Sequence, residues 1–300
     1  MITLSIIVTA HNLEKLILQC LLSIKNCIEK NTNRDIEVLL VDDCSSDDTS
    51  CLMNDFANLH DGYTYIRTEY GNIGKVRNYA INIANGKYIT FIDGDDTIPN
   101  FSIKNLLCFL KNKEPDLLLS KMHEVRNEKD KIILSNLNKP KIMDKDKAIV
   151  EFLLHKKFQA HLWGKFFKKE LFKNKTIPPL TCYEDSYIFP ELLNDSTKIF
   201  YTDSVMYNYI KRENSLSAKI DNVKAEIKVD IINHMNTIFS KRKYYNLIIC
   251  HAIDLLLKNR EVLSIQKQKE LKSLIKNTRK IKFLLDRNIR FSFKKKLLKC

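Results

Sequence analysis

The chain has 300 residues, 44% hydrophobic and 29% charged, with only 6 Gly and 6 Pro. That balance belongs to a core-forming protein of one large or two small domains and excludes a disordered or fibrous one. The formal charge of +14 sits at one end: residues 241–300 carry 18 Lys and Arg against 4 Asp and Glu, whereas residues 1–240 carry 32 of each.

No stretch approaches the ~18 consecutive apolar residues of a membrane span, so an integral membrane protein is not expected. The opening run Leu4–Thr9 lacks a basic start and meets His11-Asn12 rather than a small-residue cleavage site, so it reads as a buried strand and not a signal peptide. The 8 Cys form no C-x-x-C pair and sit mostly in apolar runs, which suits a reducing compartment with neither zinc site nor disulfide framework.

From Leu4 onward, short β-rich runs (Leu4–Thr9, Glu37–Val41, Tyr63–Thr68, Tyr88–Ile92, Asp116–Ser120) alternate with helical stretches (Leu13–Lys30, Ser46–Leu59, Lys75–Ala84). That alternation predicts an α/β fold with a mostly parallel central sheet covered by helices. Residues 121–180 are more polar, with a helix expected at Lys145–His155 and a breaker at Pro178-Pro179. The spacing divides the chain into 1–220, with halves 1–120 and 121–220, and a helical, basic C-terminal region at 221–300. In that region Lys and Arg alternate with Leu, Ile and Phe, the pattern of amphipathic helices suited to an anionic membrane or, alternatively, to a homodimer seam. An ordinary solvated face explains the pattern as well, and no nucleic-acid motif is present.

Three acidic constellations stand out. The first, Val41-Asp42-Asp43-Cys-Ser-Ser-Asp-Asp-Thr49, ends a buried strand, where open α/β sheets bind ligands. Capping by Ser45, Ser46 or Asp47 explains part of it but not the paired acids. The second, Ile92-Asp93-Gly94-Asp95-Asp96, packs three carboxylates into four positions, which repel unless a cation offsets them. Oxygen ligands point to Mg²⁺ or Mn²⁺, and the spacing of a calcium loop is missing. The third, Tyr183-Glu184-Asp185, precedes an aromatic-rich helix; on a strand or extended turn only one of the two acids faces a given cleft, and an N-cap role for Asp185 explains the motif as well when it is taken alone. Between the first two, Gly71-Asn-Ile-Gly74-Lys75-Val-Arg77-Asn78 reads as a helix start able to hold an anion, though it is neither a Walker loop nor a dinucleotide fingerprint.

Four ordered segments together resemble the family 2 glycosyltransferases of GT-A fold (a Rossmann-like nucleotide-diphospho-sugar transferase domain), the kind that builds bacterial capsular and lipopolysaccharide sugars. They are Ser5-Ile-Ile-Val-Thr-Ala-His-Asn12, Val41–Thr49, the block from Asn72 through Arg77-Asn78 to Ala84–Asp96, and Tyr183-Glu-Asp185. The resemblance covers residues 4 to about 215. It implies that Asp43 bonds the uracil of a UDP-sugar donor, that Asp93 lies near the ribose, and that Asp95 binds the metal bridging the diphosphate. It further implies Asp185 as catalytic base, Asp96 as an organiser of the turn or donor sugar, and Lys75 and Arg77 near the nucleotide or diphosphate. Thr9, His11, Asn12, Glu14 and Gly94 fall on its donor side. Glu184, His161, Trp163 and Arg212 are acceptor or loop candidates: His161 and Trp163 as a sugar platform or as core residues, Arg212 as a closing cation or a solvated one.

The implied activity is an inverting hexosyl or N-acetylhexosaminyl transfer with Mn²⁺ or Mg²⁺, giving a β-linkage from an α-linked donor. The acceptor is a glycan or lipid-linked glycan, and the setting is the cytoplasmic face of the membrane. Two departures modify this picture. Thr9-Ala10-His11 replaces the usual Pro and Tyr, so either His11 stacks on the base instead or the donor preference differs. Cys44 replaces a common Gly, so the turn there is expected not to need positive φ. A nucleotidyltransferase relative lacks its Gly-rich N-terminal loop here, and a silent sugar- or membrane-binding scaffold is disfavoured by the intact acids.

Overall fold

The computed structural model describes residues 1–28, 35–126, 138–212 and 220–298. In chain order its elements are β1 (Leu4–Ala10), α1 (Ile17–Ile28), β2 (Ile36–Asp43), α2 (Thr49–Leu59), β3 (Tyr63–Thr68), α3 (Ile73–Ile83), β4 (Tyr88–Asp93), α4 (Ile103–Lys113), β5 (Leu117–Val125), β6 (Lys141–Met143), α5 (Lys145–Leu153), β7 (Lys165–Lys168), α6 (Glu184–Asp195), β8 (Ile199–Ile210), α7 (Asn222–Ile238), α8 (Arg242–Lys258), α9 (Ile265–Lys276), α10 (Lys280–Leu285) and α11 (Phe291–Leu297).

Eight strands form one sheet in the order β3-β2-β1-β4-β7-β5-β8-β6. All seven positions of β1 are buried, as a strand covered on both faces requires, and β1 runs parallel to β2 and β4. Beyond β4 the next neighbour is β7, which is antiparallel to both β4 and β5. Because the chain winds from β1 out to β3 and then returns to place β4 on the other side of β1, the strand order reverses there. In such sheets the crevice outside the carboxyl ends at the reversal is the ligand site. The register sets Thr9 beside Asp93 and Ala10 beside Asp42, so the first two acidic constellations end at this one edge.

Two compact units emerge. The first comprises residues 1–145 and 160–212 and holds the sheet; its core includes Leu4, Ile6, Val8, Leu21, Tyr88, Leu106 and Leu118. The second comprises 146–159 with 213–300, so the helix expected at Lys145–His155 clusters with the C-terminal helices. Within it Tyr244 and Lys243 bond Asp146, and His251 bonds the Leu153 carbonyl at 2.8 Å. Among the described residues no helix is long and apolar enough to cross a membrane.

Candidate active site

The loops that follow β1 and β2 hold each other. Asn12 takes φ +53°, its N–H donates to Ser45 Oγ at 2.9 Å, and its side-chain oxygen accepts from the Ser46 N–H at 2.8 Å. The Glu14 N–H donates to Asp47, and the Leu13 N–H to Thr49 Oγ1. This pinning delays α1 to Ile17, four residues past its expected start. The group that receives the first N–H of α2 is Asp47, through Thr49 at 3.0 Å. Cys44 stands at φ +51°, so the expectation that its turn avoids the left-handed region is wrong. The geometry that favours Gly there is kept, and the side chain is accommodated with strain.

His11 donates from Nδ1 to the Asp43 carbonyl at 2.6 Å, and its Nε2 faces the Asn12 amide at 3.1 Å, contacts that select the Nδ1–H tautomer. The Asp43 carboxylate accepts from Thr68 Oγ1 at 3.0 Å, from the Tyr70 N–H at 2.8 Å and from the Asn72 N–H at 3.0 Å. These bonds shape the loop leading to α3 and leave about one lone-pair site for a ligand. Its neighbour Asp42 is fully buried against Arg67 at 3.1 Å.

Gly74 serves packing: a Cβ there would lie 2.5 Å from the Pro178 carbonyl oxygen. The close approach, with Asn78 exchanging two hydrogen bonds with the Ile177 backbone and Asn72 bonding the Leu180 carbonyl, docks α3 against the segment entering α6. Lys75 remains exposed one residue on. Arg77, by contrast, is 4% exposed and donates to Asp93 at 2.8 Å and Glu184 at 2.6 Å. Burial opposes its charge, but the two acids outweigh burial and hold the guanidinium protonated.

Thr9 is buried in β1, and its carbonyl accepts from the Gly94 N–H at 2.8 Å. Gly94 is tight as well, since a Cβ would lie 3.0 Å from Ile17 Cδ1. The turn it opens brings Asp93, Asp95 and Asp96 within 4.8 Å of one another. Asp96 is the buried member: it accepts from the Tyr207 hydroxyl and from the Ile210 N–H, both at 2.7 Å, and burial followed by the Asp93 charge pushes it up to about 7. Asp95 pairs with Arg212. An all-carboxylate set of three acids within reach of one ion is the donor chemistry of a hard divalent cation, so the residues fit Mg²⁺ or Mn²⁺. Residues 213–217 of the segment beyond Arg212 lie outside the described residues.

Glu184 and Asp185 form the first turn of α6, entered through Tyr183 at φ +62°, and not an extended turn as expected. Both acids therefore have defined partners, Glu184 on Arg77 and Asp185 on His161 Nδ1 at 3.2 Å, with Ser186 donating to the other Asp185 oxygen. Burial pushes Glu184 up despite Arg77. Trp163 is 6% exposed, with His161, Tyr207 and Tyr209 stacked on it. Two residues were missed as site members. Tyr207 joins Asp96 to the Asp93 N–H at 3.2 Å, and Lys165, buried, bonds the His161 carbonyl. The segments around Lys165 and Tyr207 resemble family patterns in the sequence, but the contacts themselves carry no local signal: Tyr207 and Asp96 are 111 residues apart.

The strand reversal, the acids at its edge and the oxygen-ligand cluster define a GT-A domain of the nucleotide-sugar transferase class. The model of the family described as "Glycosyl transferase family 2" matches residues 5–176, and the chain belongs to that family. The chain is 26% identical over 71% of its length to glycosyltransferase GlyA of Streptococcus pneumoniae, of which it spans 31%. It is 24% identical over 85% of its length to the uncharacterized glycosyltransferase EpsJ of Bacillus subtilis, covering 77% of that protein. Residues 1–349 of Staphylococcus aureus TarS, solved with UDP-GlcNAc, superpose with a TM-score of 0.69 at 21% identity, covering 97% of this chain and 83% of the other.

Proposed function

We propose that the protein transfers a sugar from a UDP-sugar to a hydroxyl of a growing surface glycan, with inversion at the anomeric carbon. The observation that carries this reading is Asp185: its carboxylate is only 16% exposed, oriented by Ser186 and His161, in the same unit as the Asp93, Asp95 and Asp96 cluster. One oriented carboxylate suffices as general base for an acceptor hydroxyl. A divalent ion on Asp95 neutralises the leaving diphosphate when bound. Asp43, Asp93, Thr9, His11, Asn12 and Glu14 line the nucleoside side. Arg77, tied to two acids, positions Asp93 and Glu184, while exposed Lys75, and half-exposed Arg212 once it leaves Asp95, are cations able to approach phosphate. A single displacement from an α-linked donor gives a β-linkage.

The relatives support the donor and the setting. TarS is described as a poly(ribitol-phosphate) β-N-acetylglucosaminyltransferase and has been solved with UDP and UDP-GlcNAc, which favours UDP-GlcNAc as the donor. The C-terminal unit supports contact with the inner membrane surface: Ile281, Leu284, Leu285, Phe291 and Leu298 are exposed in a stretch rich in Lys and Arg, the charge that complements anionic lipid. The test is UDP release from a panel of UDP-sugars with and without Mn²⁺, for wild type, Asp95→Ala and Asp185→Asn. Metal-dependent release is expected from one donor, lost in Asp95→Ala. Asp185→Asn should lower turnover by about 10²- to 10⁴-fold while keeping calorimetric UDP binding. Wild-type turnover in Asp185→Asn defeats the base assignment.

A further inference from the structure

Three restraints converge on His161. Its Nδ1 donates to Asp185 Oδ2 at 3.2 Å. Its ring lies flat on Trp163, with centroids 4.4 Å apart and planes 7° from parallel. Its backbone carbonyl accepts from the Lys165 ammonium, which is buried and lies 5.1 Å from the Phe189 ring centroid. Phe189 is one helical turn beyond Asp185, so Lys165 and His161 reach the same stretch of α6. A ring whose side chain is 38% exposed needs no such clamp to fill a core. What the clamp does is hold one nitrogen against one carboxylate oxygen.

We propose that His161 is a positioning residue for the transfer: with Ser186 holding Oδ1, it fixes the Asp185 carboxylate in one rotamer and leaves a defined lone pair for the acceptor hydroxyl. The inference rests on Asp185 being the base. The charged and titratable groups facing Asp185 are His161, Arg77, Glu184 and Lys165. Burial pushes Asp185 up, but the hydrogen bond and charge of His161, then Arg77 and the Ser186 N–H, outweigh it and hold the group at about 2. Removing His161 takes away a donor to the charged form, so Asp185 must then titrate at higher pH.

The test compares His161→Ala and His161→Asn in the full chain, the Asn amide standing where Nδ1 was. Asp185 is followed by carboxyl ¹³C NMR, assigned by its loss in Asp185→Asn, and turnover by UDP release from the active donor. In His161→Ala the Asp185 titration should move up by about one pH unit or more. Its kcat should fall about 10- to 100-fold, with donor KM within about twofold of wild type. His161→Asn should recover most of the kcat. An unmoved Asp185 titration in His161→Ala overturns the proposal, as do equal kcat losses in both variants with KM rising in step. Wild-type turnover in Asp185→Asn, a variant that leaves His161 intact, overturns the base reading itself and this inference with it.

Discussion

Arg77 donates to Glu184 at 2.6 Å across 107 residues of sequence, and the same guanidinium holds Asp93 at 2.8 Å. One buried cation thus ties the end of β4 to the first turn of α6. Removing it strands two acids. Arg77→Met should cost about 3–5 kcal/mol in urea unfolding, and lower the thermal midpoint by at least about 6 °C. Arg77→Lys should not rescue it, because a point charge cannot serve both acids from one position. The double variant with Glu184→Gln should be less unstable than Arg77→Met alone, since the stranded charge is removed too.

Lys165 yields a pH signature. Burial, only partly opposed by the Asp185 charge, pulls its ammonium from 10.5 to about 7 in the folded chain. The unfolded chain keeps that proton up to about 10.5. Between these values unfolding takes up a proton, so this residue makes stability rise with pH from about 7 to about 10.5. Lys165→Met, of similar length and apolar, should flatten the slope relative to wild type in chemical denaturation across that window. Parallel slopes for the two proteins would show that Lys165 stays charged when folded.

The parts of this architecture that were legible in the sequence are local ones. Leu4–Ala10 and Ile36–Asp43 are mostly apolar runs, interrupted by Ser5 and Thr9 in the first and by Glu37 in the second, which is how strands buried on both faces read, and the polar residues that follow or end them mark the crevice. β7 was not legible: four residues, Lys165–Lys168, are too short for a period, and their pairing with β4 and β5 is settled by distant partners. For Cys44 the residue type does not report the backbone angle: the Cys44 N–H donates to the Thr68 carbonyl, and Asn12 and Arg67 donate to Ser45, bonds that impose the turn regardless. Asp185 reads as an N-cap candidate, but the helix begins one residue earlier, from Tyr183 in the left-handed region without a side-chain cap, so both acids fall inside its first turn.

The basic C-terminal stretch makes a prediction about lipid. Between residues 280 and 298 there are seven Lys or Arg and one acid, with Ile281, Leu284 and Leu285 sharing one exposed face of α10 while Phe283 anchors the helix beneath. Each cation near an anionic leaflet contributes about 1 kcal/mol, a contribution that salt screens. The protein should float with phosphatidylglycerol vesicles in low salt, less in high salt, and not with phosphatidylcholine. Ile281→Ser with Leu285→Ser should weaken flotation without unfolding the chain, as both residues are exposed. Flotation that is indifferent to lipid charge would refute the assignment, and self-association in sedimentation would point to a second copy as the occupant.

A divalent ion at Asp95 would have to compete with Arg212 for that carboxylate. The guanidinium occupies the carboxylate in this structure, and burial lowers the Arg212 pKa against the pull of Asp93. A cation bound at Asp95 would repel Arg212, and a donor diphosphate, whose oxygens suit a forked donor, would offer it a new partner. Arg212→Ala should therefore bind Mn²⁺ alone more tightly than wild type in calorimetry, because its competitor is gone. The same variant should transfer sugar at least about tenfold more slowly, ~1.4 kcal/mol, because the diphosphate loses a partner. These effects run in opposite directions. A variant in which metal affinity and turnover fall together would instead make Arg212 a support for the Asp93–Asp96 turn.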